Sequence, residues 1–440
     1  MTVGDSKLTV GVENKSHWET VNLGEIFKIK HGFAFKGEFF SEKGNYVLLT
    51  PGNFQQEGGL KLKGDKEKYY IGEFPAEYLL KKGELLVVLT DLKQTAPILG
   101  ASGFIRESKK FLHNQRLGKI VNLDESRVDI NFLFYLFNYH QVRGQIKGSA
   151  TGSTVRHTSP ERIYEVKVSL PPLPIQRKIA AILSAYDRLI ENNTRRIEIL
   201  EEMARSIYRE WFVKFCFPGH EQVQMVDSEL GLIPEGWKLK KLDELGSIGR
   251  GKSKHRPRND PSLYGGDYPF VQTGEVKQAL LYITHYSQTY NEKGLAQSKL
   301  WKPKTLLLTI AANIAETAIL KIPACFPDSI VGFVADSEQV TPEFIKFRID
   351  DIKEKMQSFS RGTAQDNLSL DKIKLFYFLV PDKDYIIIFD NYTAPLFSQV
   401  HNLLLKNANL RQTRDLLLPQ LISGEINIEN LDINAERLAA

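Results

Sequence analysis

The pattern of apolar and polar positions from Arg177 to Phe212 predicts one long helix near the middle of the chain. This stretch contains neither proline nor glycine and is rich in residues that favour helices. At 1.5 Å per residue such a helix would be roughly 50 Å long. Its seam positions step alternately by four and three residues, which is a heptad pattern: Ile179, Leu183, Tyr186, Ile190, Asn193, Ile197, Leu200, Ala204, Ile207 and Trp211.

The same seam returns 210 residues later, as the step from Tyr186 to Leu396 shows. Its positions are Leu396, Val400, Leu403, Asn407, Leu410, Arg414, Leu417 and Leu421. The segments before the two helices match at the same offset, with the pairs Gly152 and Gly362, Ser159 and Ser369, Ile163 and Ile373, and Pro171 and Pro381. The chain therefore contains an internal repeat, with two similar halves.

The repeat extends through the part of each half that precedes its helix. Trp18 matches Trp237, and the apolar run "GELLVVLT" matches "KTLLLTIA", which predicts one buried strand in each half. Each half is expected to be a β-rich mixed domain of about 150 residues followed by one long helix. The predicted order is domain, helix, linker, domain, helix, which is an α+β architecture.

The two long helices are expected to pack against each other. An antiparallel pair would place the domains at opposite ends, related by a pseudo-twofold axis, whereas a parallel pair would bring both to one end. The linker, Phe217 to Gly236, has about 20 residues and can span either distance, so both pairings are open and the antiparallel one is favoured. Burial of both helices in one compact core is the further alternative.

Composition narrows the class of protein. The chain has 440 residues, a formal net charge of +5 and two cysteines, Cys216 and Cys325. This charge permits a nucleic-acid partner without requiring one. Two cysteines exclude a disulfide scaffold and a four-cysteine zinc site, and they suit a reducing compartment. No signal peptide and no run of 18 apolar residues is found, so a cytoplasmic protein without membrane spans is expected.

The sequence predicts neither a catalytic site nor a metal site. "GSIGRGKS", residues 246–253, matches the G-x-x-x-x-G-K-S pattern, but Pro257 and Pro261 forbid the helix that a phosphate-binding loop requires. Asp91 has no partner acid, "PDKD" at Pro381 lacks a following E-x-K, and the histidines form no H-x-x-x-H pair. ATP or GTP binding is therefore not expected.

Polar and basic loop residues in both halves are candidates for contact with DNA. Arg and Lys suit phosphates and guanine edges, whereas Asn and Gln suit adenine edges. A solvated loop is the simpler explanation for any single one, but equivalent loops in two copies favour the set. The first half supplies Lys28, Lys30, Lys36, Asn53, Gln55, Gln115, Arg116, Thr151, Ser153, Arg156 and His157. The second half supplies Arg250, Lys252, Lys254, Arg256, Arg258, Gln272, Thr273, Asn313, Arg361, Thr363, Gln365 and Asn367.

Four motifs carry a resemblance to a known family: "LPPLPIQRKIAAIL" before the first helix, "LLLPQLISGEI" at the end of the second, "LGEIFKIKHGFAFKG", and "IPEGWKLKKLDELGSIGRGKS". With these, the chain resembles the specificity subunit of type I restriction–modification systems over residues 17 to 426. The segment "PDKDYIIIFD" departs from the family's P-L-P-x-Q pattern at the start of the second helix.

The resemblance implies two mixed α/β target recognition domains in tandem repeat, separated by an antiparallel coiled coil with pseudo-twofold symmetry. Each domain would read one half of a bipartite target in double-stranded DNA, and coiled-coil length would set the spacer. Matched heptad insertions after Leu200 and Leu410 should therefore lengthen the spacer. Two methyltransferase subunits that carry S-adenosylmethionine would dock and methylate adenine, and two restriction subunits using ATP and Mg²⁺ can join. The chain itself would hold no cofactor and catalyse nothing.

The expected boundaries are an N-terminal tail (1–16), recognition domain 1 (17–173), helix 1 (174–216), a linker (217–236), recognition domain 2 (237–383), helix 2 (384–425) and a C-terminal tail (426–440). The expected coiled-coil contacts are Tyr186, Ile190, Ile197, Leu200, Ile207, Trp211, Leu396, Val400, Leu403, Leu410, Leu417 and Leu421. The competing hypothesis is a scaffold that holds two protein partners at a fixed distance without DNA readout. A nuclease fused to a recognition domain would need a carboxylate cluster that the sequence lacks.

Overall fold

The computed structural model describes residues 18–360 and 368–431. The described residues form two compact units. The first unit comprises those up to Arg188 together with those from Arg411 onward, and the second comprises Leu189–Leu410. Each unit therefore takes a part of both long helices.

The first unit is built on a four-stranded antiparallel sheet in the order β2-β10-β6-β8. Its strands are β1 Glu19–Asn22, β2 Lys28–His31, β3 Phe40–Ser41, β4 Tyr46–Leu48, β5 Tyr69–Tyr70, β6 Leu85–Val88, β7 Thr90–Asp91, β8 Ser102–Phe104, β9 Phe111–Leu112, β10 Leu117–Val121, β11 Arg156–His157 and β12 Lys167–Leu170. Its helices are α1 Ile130–Asn138, α2 His140–Gly148, α3 Pro160–Tyr164 and the beginning of α4 Leu173–Phe212.

Strand β6 lies inside this sheet and is buried on both faces, which explains its uninterrupted apolar sequence. Leu85 and Val87 face one core together with helices α1 and α4, whereas Leu86 and Val88 face a second, smaller core. Asp129 caps α1 by accepting hydrogen bonds from the second and third backbone amides of that helix. The sheet thus has its interior strand fixed from both sides.

The second unit is built on a five-stranded sheet in the order β16-β22-β20-β21-β18. Its strands are β13 Met225–Ser228, β14 Gly231–Pro234, β15 Lys238–Lys241, β16 Gly246–Arg250, β17 Tyr264–Phe270, β18 Tyr282–Ile283, β19 Gln288–Tyr290, β20 Leu306–Thr309, β21 Thr317–Leu320, β22 Ile330–Ala335 and β23 Tyr377–Val380. Its helices are the end of α4, α5 Thr273–Gln278, α6 Glu292–Ala296, α7 Pro342–Asp351, α8 Lys353–Ser360, α9 Leu370–Ile373 and the beginning of α10 Lys383–Ile422.

The two units repeat one topology. The antiparallel order β2-β10-β6-β8 in the first corresponds to β16-β22-β20-β21 in the second. In each unit the first strand pairs antiparallel with the strand that precedes a long helix, β1 with β12 and β15 with β23. The predicted buried runs are β6 and β20, and all four residues of each are buried. The tandem α+β repeat is confirmed.

The long helices pair antiparallel. In the first unit the beginning of α4 meets the end of α10, where the Asp187 carboxylate accepts hydrogen bonds of 2.6 Å from both Arg414 and Tyr135. In the second unit the end of α4 meets the beginning of α10, and the ring of Trp211 lies 6.1 Å from that of Phe389. The antiparallel pairing favoured by the sequence is the one observed.

The structure places the expected seam residues inside or beside this helix pair. Ile190, Ile197, Val400, Leu403 and Leu421 are buried. The remaining seven are partly buried: Tyr186, Leu200, Ile207, Trp211, Leu396, Leu410 and Leu417.

The buried face of α4 is wider near its end than a heptad seam would be. Tyr208 is fully buried, with its ring 5.4 Å from Phe347 and 6.3 Å from Phe389. Phe212 lies 5.0 Å from Phe344 and 5.2 Å from Phe389. Helices α7 and α10 therefore cover this part of α4 together, which a two-helix seam does not anticipate.

Helix α4 ends at Phe212, four residues before the expected end at 216. Phe215 has a positive φ of 61°, so the chain leaves the helical path there. The rings of Phe215 and Phe217 then pack 5.4 Å and 5.3 Å from that of Trp237. The expected linker contains the hairpin formed by β13 and β14.

A buried polar pair lies on the helix–helix seam of the second unit. Asn407 is 2% exposed, and its Oδ1 accepts a 2.9 Å hydrogen bond from Asn193 Nδ2. Its own Nδ2 donates to the Ile190 carbonyl at 3.3 Å and to Thr194 Oγ1 at 3.2 Å. Because each contact fits one alignment of the helices only, the pair favours this register.

We expect Asn407→Ala to destabilise the second unit by about 1–3 kcal/mol, because it removes three hydrogen bonds and leaves Asn193 without its buried acceptor. Urea unfolding followed by circular dichroism measures this change. Asn409→Ala, at an exposed position of the same helix, is the matched control and should leave the midpoint unchanged. Equal effects of the two substitutions would contradict a role of Asn407 in pairing.

Candidate nucleic-acid interface

One edge of the first unit's main sheet gathers most of the candidates from the first half. Strand β2 ends at this edge with His31, which pairs with Gly118 near the start of β10. Strand β6 ends at the same edge with Val88, opposite Leu117. Since these strands are antiparallel, the segment after β2, the turn before β10 and the segment after β6 all emerge there. We call this the first recognition edge.

One candidate segment joins the edge through backbone hydrogen bonds. Residues 151–157 form a hairpin in which Thr151 and His157 exchange hydrogen bonds of 2.9 and 2.8 Å, and β11 pairs with β7. Thr158 then donates to the Leu89 carbonyl just beyond β6, at 2.9 Å. Gly152 is required in this hairpin, because it has φ of 95° and a Cβ there would lie 2.0 Å from the Val155 carbonyl oxygen.

The exposed candidates at this edge are Lys36, Gln55, Gln115, Arg116, Thr151, Ser153 and His157. Gln55 lies in a turn that ends at Gly59, whose amide donates to Ser102 at the start of β8. Arg156 is partly buried and donates to the carbonyls of Lys147 and Gly152, which braces the hairpin from within. The Nδ1 atom of His157 lies 2.9 Å from Thr90 Oγ1.

Three candidates do not belong to the exposed surface of this edge. Asn53 is fully buried, with its amide 2.9 Å from Glu67 and its carbonyl oxygen accepting from the Thr50 amide, so its role is structural. Lys28 begins β2 at the opposite end of the strand and donates to the Gly24 carbonyl. Lys30 points to Glu77, 2.5 Å away, from the middle of the strand. None of these three belongs to the first recognition edge.

The second unit has an equivalent edge. Strand β16 ends with Arg250, which pairs with Val331 at the start of β22, and β20 ends opposite Ile330. Leu368 donates to the Ile310 carbonyl just beyond β20 at 3.0 Å, as Thr158 does to Leu89 in the first unit. We call this the second recognition edge. The candidates Arg361, Thr363, Gln365 and Asn367 precede Leu368 and lie outside the described residues.

A basic segment, residues 250–258, extends from β16 at the second recognition edge. Arg250, Lys252, Lys254, Arg256 and Arg258 are all exposed. Asp328, two residues before β22, lies 2.6 Å from Arg258 and 4.0 Å from Arg256. The segment therefore offers several cations to a phosphate backbone, two of them beside a competing carboxylate.

The segment after β20 carries the candidate Asn313. Its Oδ1 lies 3.4 Å from the Nζ of Lys277 on helix α5. Helix α5 begins at the candidate Thr273, and the side chain of Gln272 before it donates to Gln288 at 2.6 Å. Lys277 was not anticipated from the sequence. Nor were Lys93 and Gln94, which are exposed after β6 at the first recognition edge.

Residues around the nucleotide-binding pattern do not form a phosphate-binding loop. Gly246–Arg250 is a strand, and residues 251–260 contain neither helix nor strand. Within the described part of the chain, no three His, Cys, Asp or Glu side chains come together as a metal site. None of the helices in that part combines the length and apolar character that crossing a bilayer would demand.

A group of ionisable residues lies away from the recognition edges, on helix α4 of the second unit. The Oε1 atom of Glu201 is buried without a hydrogen-bond partner. Burial raises the pKa of Glu201 to about 7, opposed by Lys346 and Arg205 and assisted by Asp350 and Glu198. Lys346 is itself buried and lies 2.8 Å from Asp350. Folding therefore favours the neutral form of Glu201.

We expect the second unit to lose stability as pH rises from 4.5 to above 7. The folded-state pKa of Glu201 lies above 4.5, the ordinary value of a glutamate side chain. The folded state thus binds more protons in this window, and the stabilisation present below pH 4.5 is lost as pH passes the folded pKa. Glu201→Gln should remove this destabilising contribution, which is on the order of 2 kcal/mol at pH 8, because glutamine does not ionise. Urea unfolding at pH 5 and pH 8 tests this, with the exposed Glu202→Gln as control. An unchanged pH dependence in Glu201→Gln would contradict it.

Comparison with known proteins identifies the repeated domain. A family model described as the type I restriction modification DNA specificity domain matches residues 15–202 and, a second time, residues 234–405. The type I restriction enzyme MjaIX specificity subunit of Methanocaldococcus jannaschii is 26% identical over 359 residues, which cover 80% of each chain. The type I restriction enzyme HindI specificity subunit of Haemophilus influenzae is 23% identical over 477 residues, covering 93% of this chain and all of that protein.

A solved structure shows the same fold. The crystal structure of the type I restriction–modification S subunit from M. genitalium aligns with a TM-score of 0.53 and 16% identity. The alignment covers 94% of this chain and 98% of that one. The doubled family match over most of the chain shows that it belongs to the family of type I restriction–modification specificity subunits, which recognise DNA and are not themselves enzymes.

Proposed function

We propose that each unit reads one half of a bipartite target in double-stranded DNA, and that the paired helices set the number of unspecified base pairs between the halves. The observation that carries this proposal is the duplicated edge. In both units the residue just after the interior strand accepts one backbone hydrogen bond from a residue much further along the chain. Thr158 donates to Leu89 in the first unit, and Leu368 donates to Ile310 in the second.

The chemistry of these edges suits DNA. The first edge exposes Gln115, Arg116 and the polar hairpin of residues 151–157, and the second exposes the basic segment of residues 250–258. Amide and guanidinium groups bind base edges in the major groove, and cations bind phosphates. Loops held by a rigid sheet can present such groups in a fixed arrangement.

The internal repeat also accounts for the proposed partners. Two similar units offer two similar docking surfaces, which suits two methyltransferase subunits that carry S-adenosylmethionine and modify adenine. Two restriction subunits that use ATP and Mg²⁺ can complete the assembly. In this arrangement the chain supplies recognition, whereas the partners supply both the cofactors and the chemistry.

Mapping modified adenines by single-molecule sequencing tests the proposal. Cells would express the chain with the methyltransferase subunit encoded beside it, and matched cells would lack only the chain. We expect a split motif with a fixed spacer to appear only with the chain. If the chain is folded and bound to its methyltransferase and no motif depends on it, the proposal fails and a two-ended protein scaffold becomes the better explanation.

A further inference from the structure

We propose that residues 92–95, here called the Leu92 loop, read bases in the half-site of the first unit, and that Arg143 positions this loop. This inference rests on the proposed function and assigns a specificity element to it. In the sequence, Asp91 stands out only as a carboxylate without a partner acid.

The Leu92 loop combines an exposed tip with a buried base. Leu92, Lys93, Gln94 and Thr95 are all exposed, and Leu92 retains 58% of its accessible surface. The loop follows β6 and β7 at the first recognition edge, where β7 pairs with the hairpin of residues 151–157. Four adjacent side chains thus project from the edge that gathers the other candidates of this unit.

The buried base of the loop is closed by Asp91. This residue is 2% exposed, and its carboxylate accepts a 2.9 Å hydrogen bond from the Lys93 amide and a 2.8 Å hydrogen bond from the Ile98 amide. One side chain therefore joins both ends of the loop. Ala96 is buried with φ of 46° and donates to the Lys93 carbonyl, which completes a tight turn.

Arg143, on helix α2, holds the loop from below. The guanidinium is buried and donates to three backbone carbonyls, those of Pro97 at 2.6 Å, Leu99 at 2.7 Å and Gln56 at 3.1 Å. Burial lowers the pKa of Arg143 to about 10, so the group remains a cation at neutral pH. Because Gln56 follows the exposed candidate Gln55, one buried cation fixes two neighbouring segments of the edge.

A surface loop that only connects two strands does not need this support. Burying a charged group destabilises a protein unless the group forms its hydrogen bonds. Here the Asp91 carboxylate and the Arg143 guanidinium both bind backbone atoms around four exposed residues. Such preorganisation is what accurate presentation of side chains to a ligand requires. The side chains suit base edges: Lys93 for guanine, Gln94 for adenine and Leu92 for the thymine methyl group.

The test uses the full chain with its methyltransferase and reads the methylated motif. We expect Lys93→Ala combined with Gln94→Ala to relax one or more positions of one half-site, with a roughly ten- to hundred-fold loss of discrimination. The other half-site and the spacer should be unchanged. Lys82→Ala is the matched control for charge, because Lys82 is exposed and precedes the start of β6, at the end of the strand that lies away from the recognition edge.

Arg143→Lys tests the positioning role, since one ammonium group cannot reach three carbonyls in the geometry of a guanidinium. We expect it to relax the same positions of the same half-site and to add little when combined with the loop substitutions. A merely structural role would instead lower the melting temperature and reduce methylation of the whole motif without changing its sequence.

The outcomes separate this inference from the proposed function. If the unaltered chain directs no split motif, the proposed function itself has failed. If the unaltered chain gives a split motif and the folded loop variant gives the same motif, the assignment of the Leu92 loop is overturned. Equal loss at both half-sites in the loop variant also overturns it, because that result indicates a general charge effect.

Discussion

A chain with seven residues inserted into each long helix at the same level is expected to recognise a target whose spacer is longer by about three base pairs. Seven helical residues add about 10 Å, and DNA rises about 3.4 Å per base pair. Both half-sites should keep their sequence, because no residue of either recognition edge changes. Mapping of modified adenines gives the spacer and the half-sites in one measurement.

The antiparallel pairing decides where the insertions belong. Asn193 faces Asn407 across the seam. Leu200 lies seven residues after Asn193, and Val400 lies seven residues before Asn407. Duplicating residues 194–200 after Leu200 and residues 400–406 before Val400 therefore lengthens both helices at one level. The heptad phase and the asparagine pair are then preserved.

The pair of sites that the repeat alone suggests, after Leu200 and after Leu410, serves as the comparison. Those positions are equivalent in sequence but lie at different levels of an antiparallel pair, so the insertions would shift Asn407 one heptad away from Asn193. We expect this variant to unfold at lower urea concentration than the level-matched one.

Twist limits how efficiently the lengthened chain directs methylation. Three base pairs rotate one half-site by roughly 100° about the DNA axis, since B-DNA has about 10.5 base pairs per turn. Slower methylation is therefore expected at the new target. An unchanged spacer, or altered half-sites with the original spacer, would contradict the proposed role of the helices.

The sequence predicted the architecture because the architecture is periodic. The tandem repeat and its helices are indicated by a heptad seam, by the return of that seam after 210 residues, and by two matched buried runs. The periodic pattern did not predict that Tyr208 and Phe212 are buried beside the seam. Helix α7 covers them, and α7 comes from a distant part of the chain. Contacts of that kind leave no local pattern.

Individual site residues were harder to predict than the edges that carry them. Asn53 and Gln55 lie two positions apart in one polar stretch, yet Asn53 is buried against Glu67 whereas Gln55 is exposed. Composition cannot separate them, because an amide serves equally as a turn brace or as a base contact. Lys93 and Gln94 had a usable signal: they follow the buried run that is duplicated in the two halves, as Asn313 does in the second.

Substitutions of opposite sign at the second recognition edge are expected to change DNA affinity in opposite directions. Replacing both Arg256 and Arg258 by alanine removes two cations from the basic segment and should weaken binding. The slope of log K against log salt concentration should fall by about 2 in magnitude, because each phosphate contact contributes about one unit. Asp328→Asn should strengthen binding instead, since its carboxylate lies 2.6 Å from Arg258 and competes with phosphate for it.

Binding of the full chain to a duplex that contains the mapped target, followed by fluorescence anisotropy at several salt concentrations, measures both effects. The control replaces Lys238 and Lys302 by alanine, which removes the same charge. Both lysines are exposed and lie away from the recognition edge: Lys238 is the first residue of β15, and Lys302 precedes β20. If the arginines bind phosphate, the arginine variant loses more affinity and more slope than this control. Equal losses would mean that net charge alone attracts DNA, and weaker binding by Asp328→Asn would mean that the carboxylate orders the arginines rather than competing for them. Among the described residues, the ion pairs of Asp328 are those with Arg256 and Arg258, so we expect competition to be the dominant effect.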